Sequence, residues 1–217
     1  MRHLISTFAA LALLLSACSG DTAMSKLGKV PGFEDLAVEP IGLDPNAFAL
    51  VDQIGARDRK AINVIRIAQS AALDMIEIAR KGDRSSYMSA SRRGLILKNG
   101  IITQTQGVGG DLSISQHETY ALRDTGRVFT KTHGYLGGDN QIYTVSYRCI
   151  RTARPTDQYG LRERRRLLTP VDEVCRNETQ IHENVYFLYP GTGEVFRSRQ
   201  WVSDQIGYLR VDQIQIP

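Results

Sequence analysis

The feature that most constrains the fold is the two-residue alternation of apolar and polar side chains that dominates the chain after residue 90. Asn99-Gly100 separates two such runs, and this pair is preferred in two-residue type I′ turns because both positions require φ > 0. The turn places Leu97 opposite Ile102. Two further apolar runs flank Pro190–Gly193, which predicts a second hairpin with a longer turn. The pattern therefore predicts an all-β fold of antiparallel strands.

The stretch from residue 61 to residue 84 fits two patterns. Apolar residues such as Ile62 and Ala72 fit one face of a helix, whereas Ile65-Arg66-Ile67 and Ile76-Glu77-Ile78 alternate as strands do. β-branched residues dominate the stretch, which favours strands. Periodicity alone leaves helix and strand both open.

The chain starts with a short apolar segment that ends at Cys18. Leu4–Leu15 follows Arg2 and is too short for a membrane-spanning helix, which needs about 20 residues, but it is typical of a secretory signal. Leu15-Ser16-Ala17-Cys18 resembles the lipobox of bacterial lipoproteins, in which the peptide is cut before the cysteine and the cysteine is acylated. We therefore predict a signal peptide over residues 1–17 and a lipid anchor at Cys18. An ordinary signal peptide is the alternative.

The residues that follow the anchor predict a tether and a location. Ser19 stands where enterobacterial lipoproteins of the inner membrane carry Asp, so the resemblance implies the outer membrane, facing the periplasm. Residues 18–60 begin with Gly and Pro at intervals, which is typical of a linker. Within them Asp44-Pro45 is a helix start, so a short helix is expected from Pro45 to about Gln53. The β domain is predicted over residues 61–217.

Cys149 and Cys175 form an even pair of cysteines once Cys18 is acylated. In an oxidising compartment this predicts a structural disulfide. Cys149 alternates in phase with Tyr143 and Tyr147, so it is expected to point inward. No nearby Cys or His supplies zinc-like spacing, and no metal site is predicted. The three histidines of the predicted β domain are scattered and are interpreted as ordinary surface or turn residues: His117, His133 and His182.

No motif in the sequence predicts catalysis or a cofactor. Gly107, Gly109 and Gly110 lead into an alternating stretch and not into a helix, so they favour a bulge or sharp bend over a phosphate site. No spacing singles out two carboxylates. The net charge of +4 is small for this length and does not indicate a nucleic-acid partner.

Two basic stretches are candidates for ligand contact. Arg197, Arg199 and Trp201 are predicted to share one strand face, where they would contact a glycan or a partner, or form a packed cluster. Arg162–Arg166 would bind an anionic polysaccharide or a lipid headgroup, or form a solvated loop.

Two stretches, "NGIITQTQGVGGDL" and "NVYFLYPGTGEVFRSRQWV", resemble the YjbF family of lipoproteins, also described as group 4 capsule polysaccharide lipoproteins of the GfcB type. The resemblance implies an antiparallel β-barrel or sandwich, with strands over Asn63–Ala68 and Leu73–Lys81. The chain departs from the family at Tyr87 and Phe187, where members often have Trp. The resemblance also implies a role in exopolysaccharide export beside an outer-membrane β-barrel partner.

These observations together predict a non-catalytic outer-membrane lipoprotein that assists export or assembly of a surface exopolysaccharide or capsule. The alternative is a glycan-active enzyme or a carbohydrate-binding module of the cell envelope.

Overall fold

The computed structural model describes residues 60–69, 71–160 and 165–214. Cys18, the lipobox and the helix expected at Pro45 lie outside the described residues. The described part contains thirteen strands and a 3-10 turn at Ile67–Gln69. The strands are β1 Ala61–Arg66, β2 Ala71–Lys81, β3 Arg84–Ser89, β4 Gly94–Lys98, β5 Ile101–Gln106, β6 Leu112–His117, β7 Val128–Leu136, β8 Ile142–Ala153, β9 Asp157–Tyr159, β10 Arg166–Arg176, β11 Ile181–Leu188, β12 Val195–Ser203 and β13 Gly207–Ile214.

The strands form one antiparallel sheet that curls into a nearly closed barrel. The order is β5-β4-β3-β2-β1-β13-β12-β11-β10-β8-β7-β6, and β9 pairs with β10 outside this path. The edge strands β5 and β6 follow one another in sequence and approach each other without a described ladder of hydrogen bonds. The predicted all-β antiparallel fold is confirmed, in its barrel form.

Both predicted hairpins are present. Asn99 and Gly100 have φ of 50° and 80°, as a type I′ turn requires, and Leu97 lies opposite Ile102. The absence of a side chain at Gly100 also matters for packing, because an added Cβ would lie 2.3 Å from Val195 Cγ2. Residues 190–193 form the turn between β11 and β12.

The ambiguous stretch near the start of the domain is two strands. β1 pairs with β2 and, on its other side, with β13, from Ala61 opposite Ile214 to Arg66 opposite Leu209. β1 therefore pairs with a strand on each side. Both of its faces are largely buried, as at Ala61, Ile62 and Asn63, so its side chains do not show the clear alternation of polar and apolar residues that identifies a strand.

The barrel is filled by side chains. One apolar cluster packs inside β1–β7, β12 and β13, and a second packs around Tyr186 and Ile101. Polar residues of β13 are buried as well. Arg210 and Asp212 alternate along this strand with Leu209 and Val211, and all four are buried. The side chains of β13 therefore alternate between two faces that are both buried, and not between a core face and a solvent face.

The predicted disulfide is confirmed. Cys149 on β8 and Cys175 on β10 lie directly opposite each other, with their Cα atoms 4.1 Å apart, and both are fully buried. Tyr147 and Phe129 pack in one buried cluster with the two cysteines. The bridge therefore joins two strands in the interior of the barrel.

Removing this disulfide is expected to lower the stability of the domain. The bridge spans 26 positions, and the chain-entropy model gives about 3.5 kcal/mol for a loop of this size. The double variant Cys149→Ala, Cys175→Ala should lose about 3 kcal/mol of unfolding free energy in urea titrations. Reductant should shift the midpoint of the wild type in the same direction and leave the double variant unchanged. Equal urea midpoints for the wild type and the double variant, both without reductant, would contradict the prediction.

Candidate functional site

The barrel interior holds a buried ion cluster beside the disulfide. Glu173 on β10 accepts from Lys131 Nζ at 2.9 Å and from Arg151 Nε at 2.8 Å, and all three side chains are at most 2% exposed. Glu173 and Arg151 are opposite each other in the β8–β10 ladder. Each lies two residues from a bridged cysteine, so strand alternation puts them on the cysteine face. That spacing was the sequence signal for the pair, and sequence reasoning missed it.

Glu173 stays ionised in this interior. Burial would raise the pKa of its carboxyl group, but Lys131 and Arg151 outweigh burial and hold the pKa well below its usual value. Asn184 Nδ2 also donates to Glu173 Oε1 at 2.7 Å. Arg151 donates to the carbonyl of Ala121 at 3.0 Å, and its guanidinium carbon lies 4.4 Å from the centre of the Phe129 ring. Two cations thus share one carboxylate.

The histidines are not surface or turn residues, and that interpretation was wrong. His117, His133 and His182 are at most 9% exposed, because each takes an inward position on its strand. The rings of His133 and His182 stack with centroids 6.3 Å apart. Burial and then the charge of Lys131 lower their pKa values, to about 2 for His117 and about 3 for His182, and well below the usual value for His133.

Gln200 joins the two sequence stretches that carry the family resemblance. Its Oε1 accepts from the backbone N–H of Ile102 at 2.8 Å, and its Nε2 donates to the carbonyl of Gly100 at 2.9 Å and to Ser198 Oγ at 2.8 Å. The Gln200 side chain on β12 therefore forms hydrogen bonds with backbone groups at the start of β5, across the barrel. Asn184 likewise accepts from the N–H of Trp201 at 2.7 Å. These polar residues are structural ties in the interior.

The glycine-rich stretch between β5 and β6 is a capped bend. Gly107, Gly109 and Gly110 have φ of 72°, 87° and 60°, and the carboxylate of Asp111 accepts from the N–H groups of Gly107 at 2.7 Å and Val108 at 3.1 Å. The stretch is a sharp bend, as the sequence predicted.

A cavity of about 710 Å³ lies at the end of the barrel where this bend meets the β10–β11 and β12–β13 connections. Four aromatic residues line it: Tyr135, Tyr143, Tyr147 and Trp201. The rings of Tyr135 and Tyr143 have centroids 5.5 Å apart, and Trp201 stacks on His182 at 5.8 Å. We call this cavity the aromatic mouth.

Hydrogen-bonding groups cross the aromatic mouth. Tyr147 donates to Gln180 Oε1 at 3.0 Å, and Gln180 Nε2 donates to Asp204 Oδ1 at 2.7 Å. Asp111 and Gln205 also line the cavity. Among the described residues, no lysine or arginine does so.

The opposite end of the barrel has a smaller, charged cavity of about 430 Å³. Lys60 pairs there with Glu194, and Arg80 donates to Glu77 at 2.7 Å. The described chain enters the barrel at this end through Lys60, whereas the aromatic mouth lies at the far end of β1.

Of the three residues predicted to share a strand face, Arg199 and Trp201 both pack on Tyr208, as in the packed-cluster alternative, with the ring centroids of Trp201 and Tyr208 5.2 Å apart. Arg197 is buried and pairs with Asp212, and the Arg199 guanidinium lies 3.6 Å from the centre of the Tyr208 ring. Trp201 lines the aromatic mouth. Of Arg162–Arg166, the described members Arg165 and Arg166 are exposed. The described residues contain no group of three or more His, Cys, Asp and Glu placed to hold a metal ion.

The fold is similar to that of a solved structure. The crystal structure of the hypothetical lipoprotein YmcC from Escherichia coli K12 matches with a TM-score of 0.61, over 80% of this chain and 97% of that chain, at 13% identity. The two proteins therefore share a fold. None of the curated proteins compared with the chain matches it significantly. Among the described residues, no helix is long and apolar enough to cross a membrane.

A family model described as "Group 4 capsule polysaccharide lipoprotein gfcB, YjbF" matches residues 49–214. The chain belongs to the YjbF family, a family of lipoproteins related to capsule polysaccharide. The family resemblance noted from the sequence is confirmed.

Proposed function

We propose that this protein is a non-catalytic outer-membrane lipoprotein that assists export or assembly of a surface polysaccharide. Cys18 anchors it, and the barrel acts in the periplasm beside an outer-membrane β-barrel protein of the secretion system. Family membership supports the link to polysaccharide. An exposed apolar surface of the barrel supports the proposed contact with a protein partner.

The observation that carries the proposal is an exposed apolar stripe on the outer face of β6–β8. Ile114, Leu136 and Ile142 are 41%, 58% and 57% exposed. Leu136 lies opposite Ile142, and Gly134 lies between Ile114 and Ile142, so close that an added Cβ would be 2.8 Å and 3.1 Å from their methyl groups. We call these three residues and Gly134 the outer stripe.

The outer stripe suits a protein contact better than water. Exposed apolar side chains that lie side by side mark interaction sites more often than isolated ones do. Gly134 keeps the stripe flat, because a side chain there would separate the two isoleucines. A lipid tether would confine this face near outer-membrane proteins and raise their effective concentration, so a modest interface would be enough.

Crosslinking in cells tests the partner. A photocrosslinking residue at Ile142 is expected to capture an outer-membrane protein encoded by the same polysaccharide locus. The same residue at Lys81, which is exposed on β2 outside the outer stripe, is the matched control and should capture it weakly. Equal yields from both positions, or capture of no outer-membrane protein, would contradict the proposal.

The anchor is tested by Cys18→Ala. Without the cysteine no diacylglycerol can be attached, so the protein should remain a precursor or appear in the soluble periplasm. Extracellular polysaccharide should then fall toward the level of the deletion strain, even when the variant is abundant. Mass spectrometry of the wild type should find a mature N-terminus at Cys18 with acyl groups. A different N-terminus without acyl groups would show that the lipobox interpretation is wrong.

The second candidate function is a glycan-active enzyme. Two carboxylates, Asp111 and Asp204, line the aromatic mouth, as an acid–base pair would. Asp111, however, is bound to the backbone of the bend and to Thr105 Oγ1 at 3.1 Å. Incubating purified domain with the isolated polysaccharide tests this function. Shortening of the glycan by the wild type, with loss of that activity in Asp204→Asn, would favour the enzyme.

A further inference from the structure

We propose that the aromatic mouth binds a neutral segment of a polysaccharide by stacking sugar rings on Tyr143 and Trp201. This inference rests on the proposed function for its link to polysaccharide, and it assigns a ligand class and a site to that function. The outer stripe and the aromatic mouth would then serve a protein and a glycan on one small barrel.

The rings give the site its shape. Tyr143 is 56% exposed, although it shares its strand face with the buried Tyr147. An exposed tyrosine at a cavity rim presents a flat apolar face with a polar edge, which matches a sugar ring with its C–H face and hydroxyl rim. A cavity of about 710 Å³ lies within the range of about 300–1,000 Å³ for small-ligand sites.

Polar groups around the rings can bond hydroxyl groups. Gln180 and Gln205 each offer a donor and an acceptor, and Asp204 offers acceptors. Behind Trp201, His182 is 3% exposed and neither of its ring nitrogens bonds a described residue. His182 does not line the cavity, and its ring supports that of Trp201 by stacking at 5.8 Å.

Charge selects the class of glycan. The cavity is lined by the carboxylates of Asp111 and Asp204, and none of its described lining residues is a cation. Arg66, at the same end of the barrel, donates to the backbone carbonyl of Gln205 and does not line the cavity. A uronic acid or phosphate group would therefore meet like charge, whereas a neutral hexose or N-acetylhexosamine would not.

The fluorescence of Trp201, the single tryptophan of the chain, reports binding directly. Titration with neutral hexasaccharides of glucose, galactose and N-acetylglucosamine at millimolar concentration should shift its emission for at least one of them. Oligogalacturonate should produce no shift, and added salt should change the neutral affinity little. Tighter binding of oligogalacturonate, or no shift with any neutral probe, would overturn the proposal.

Two adjacent residues separate the two sites. Tyr143→Ala is expected to weaken the neutral glycan at least about tenfold in calorimetry, while Ile142→Ala, on the opposite face of β8, should bind as the wild type does. Crosslinking to the protein partner from a photocrosslinking residue at Ile114, another member of the outer stripe, should respond in the reverse order. Unchanged glycan affinity in Tyr143→Ala would overturn the site and leave the partner proposal standing. Loss of the crosslink alone would affect only the partner proposal. Circular dichroism of both variants confirms that they fold.

Discussion

Lowering the pH from about 7.5 to about 5.5 is expected to cost the purified domain about 4 kcal/mol of its unfolding free energy. The pKa values of His117, His133 and His182 are lowered in the folded barrel, and the ordinary value is 6.5. Below pH 6.5 the unfolded chain binds three protons that the folded barrel excludes. Stability is therefore complete above pH 6.5 and is lost as the pH falls toward the folded pKa values. Each histidine contributes about one third of this loss.

Urea titrations at several pH values measure this effect, and His182→Phe provides the matched variant. Neither ring nitrogen of His182 bonds a described residue, so the substitution removes a titrating group without removing a described hydrogen bond. The pH-dependent loss should fall by about one third, to about 3 kcal/mol. Stability that is flat from neutral pH to pH 5.5 would mean that the histidines protonate inside the folded barrel.

Neutralising Glu173 is expected to have the other large effect. Glu173→Gln would leave Lys131 and Arg151 buried without a counter-charge, and breaking a buried pair in this way costs about 3–5 kcal/mol. Since small domains are stable by about 5–15 kcal/mol, a large share of the stability would be lost. The thermal midpoint and the urea midpoint should both fall.

Two further variants distinguish the effect of the lost charge from the effect of altered packing. Glu183→Gln, at an exposed position on the same hairpin, should change stability by no more than about 0.5 kcal/mol. Replacing Glu173, Lys131 and Arg151 together by Met should recover much of the loss, because no unpaired charge then remains. A Glu173→Gln variant as stable as the Glu183→Gln control would show that the cluster contributes no net charge pairing.

The local features of the fold were predictable because they depend on short-range chemistry. Asn99-Gly100 fixes its turn through the left-handed backbone, and Pro190–Gly193 marks the second hairpin. The disulfide followed from two cysteines in an oxidising compartment. Each of these inferences needs only neighbouring residues or a count of one residue type.

The interior was harder to predict because this barrel buries polar residues on its inward positions. In β7, Lys131 and His133 point inward while Thr130 and Thr132 are more exposed, so neither set looks like a core. The aromatic mouth joins residues from β6, β7, β8 and β12 with three connections, and no local pattern brings these together. Of the predicted contact residues that the structure describes, only Trp201 belongs to it. The periodicity of the sequence also gives no indication that β1 pairs with β13.

The pairing of β1 with β13 has a consequence for how the chain folds. β1 lies between β2 and β13, so the strand made first among those described must wait for residues 207–214 before its second ladder can form. Contacts between such distant parts of a chain slow folding. A chain delivered N-terminus first would spend that interval with β1–β5 as an open meander whose free strand edge can pair with other chains. A chaperone that covers β1 during this wait would therefore raise the yield of folded protein more than one acting on β13.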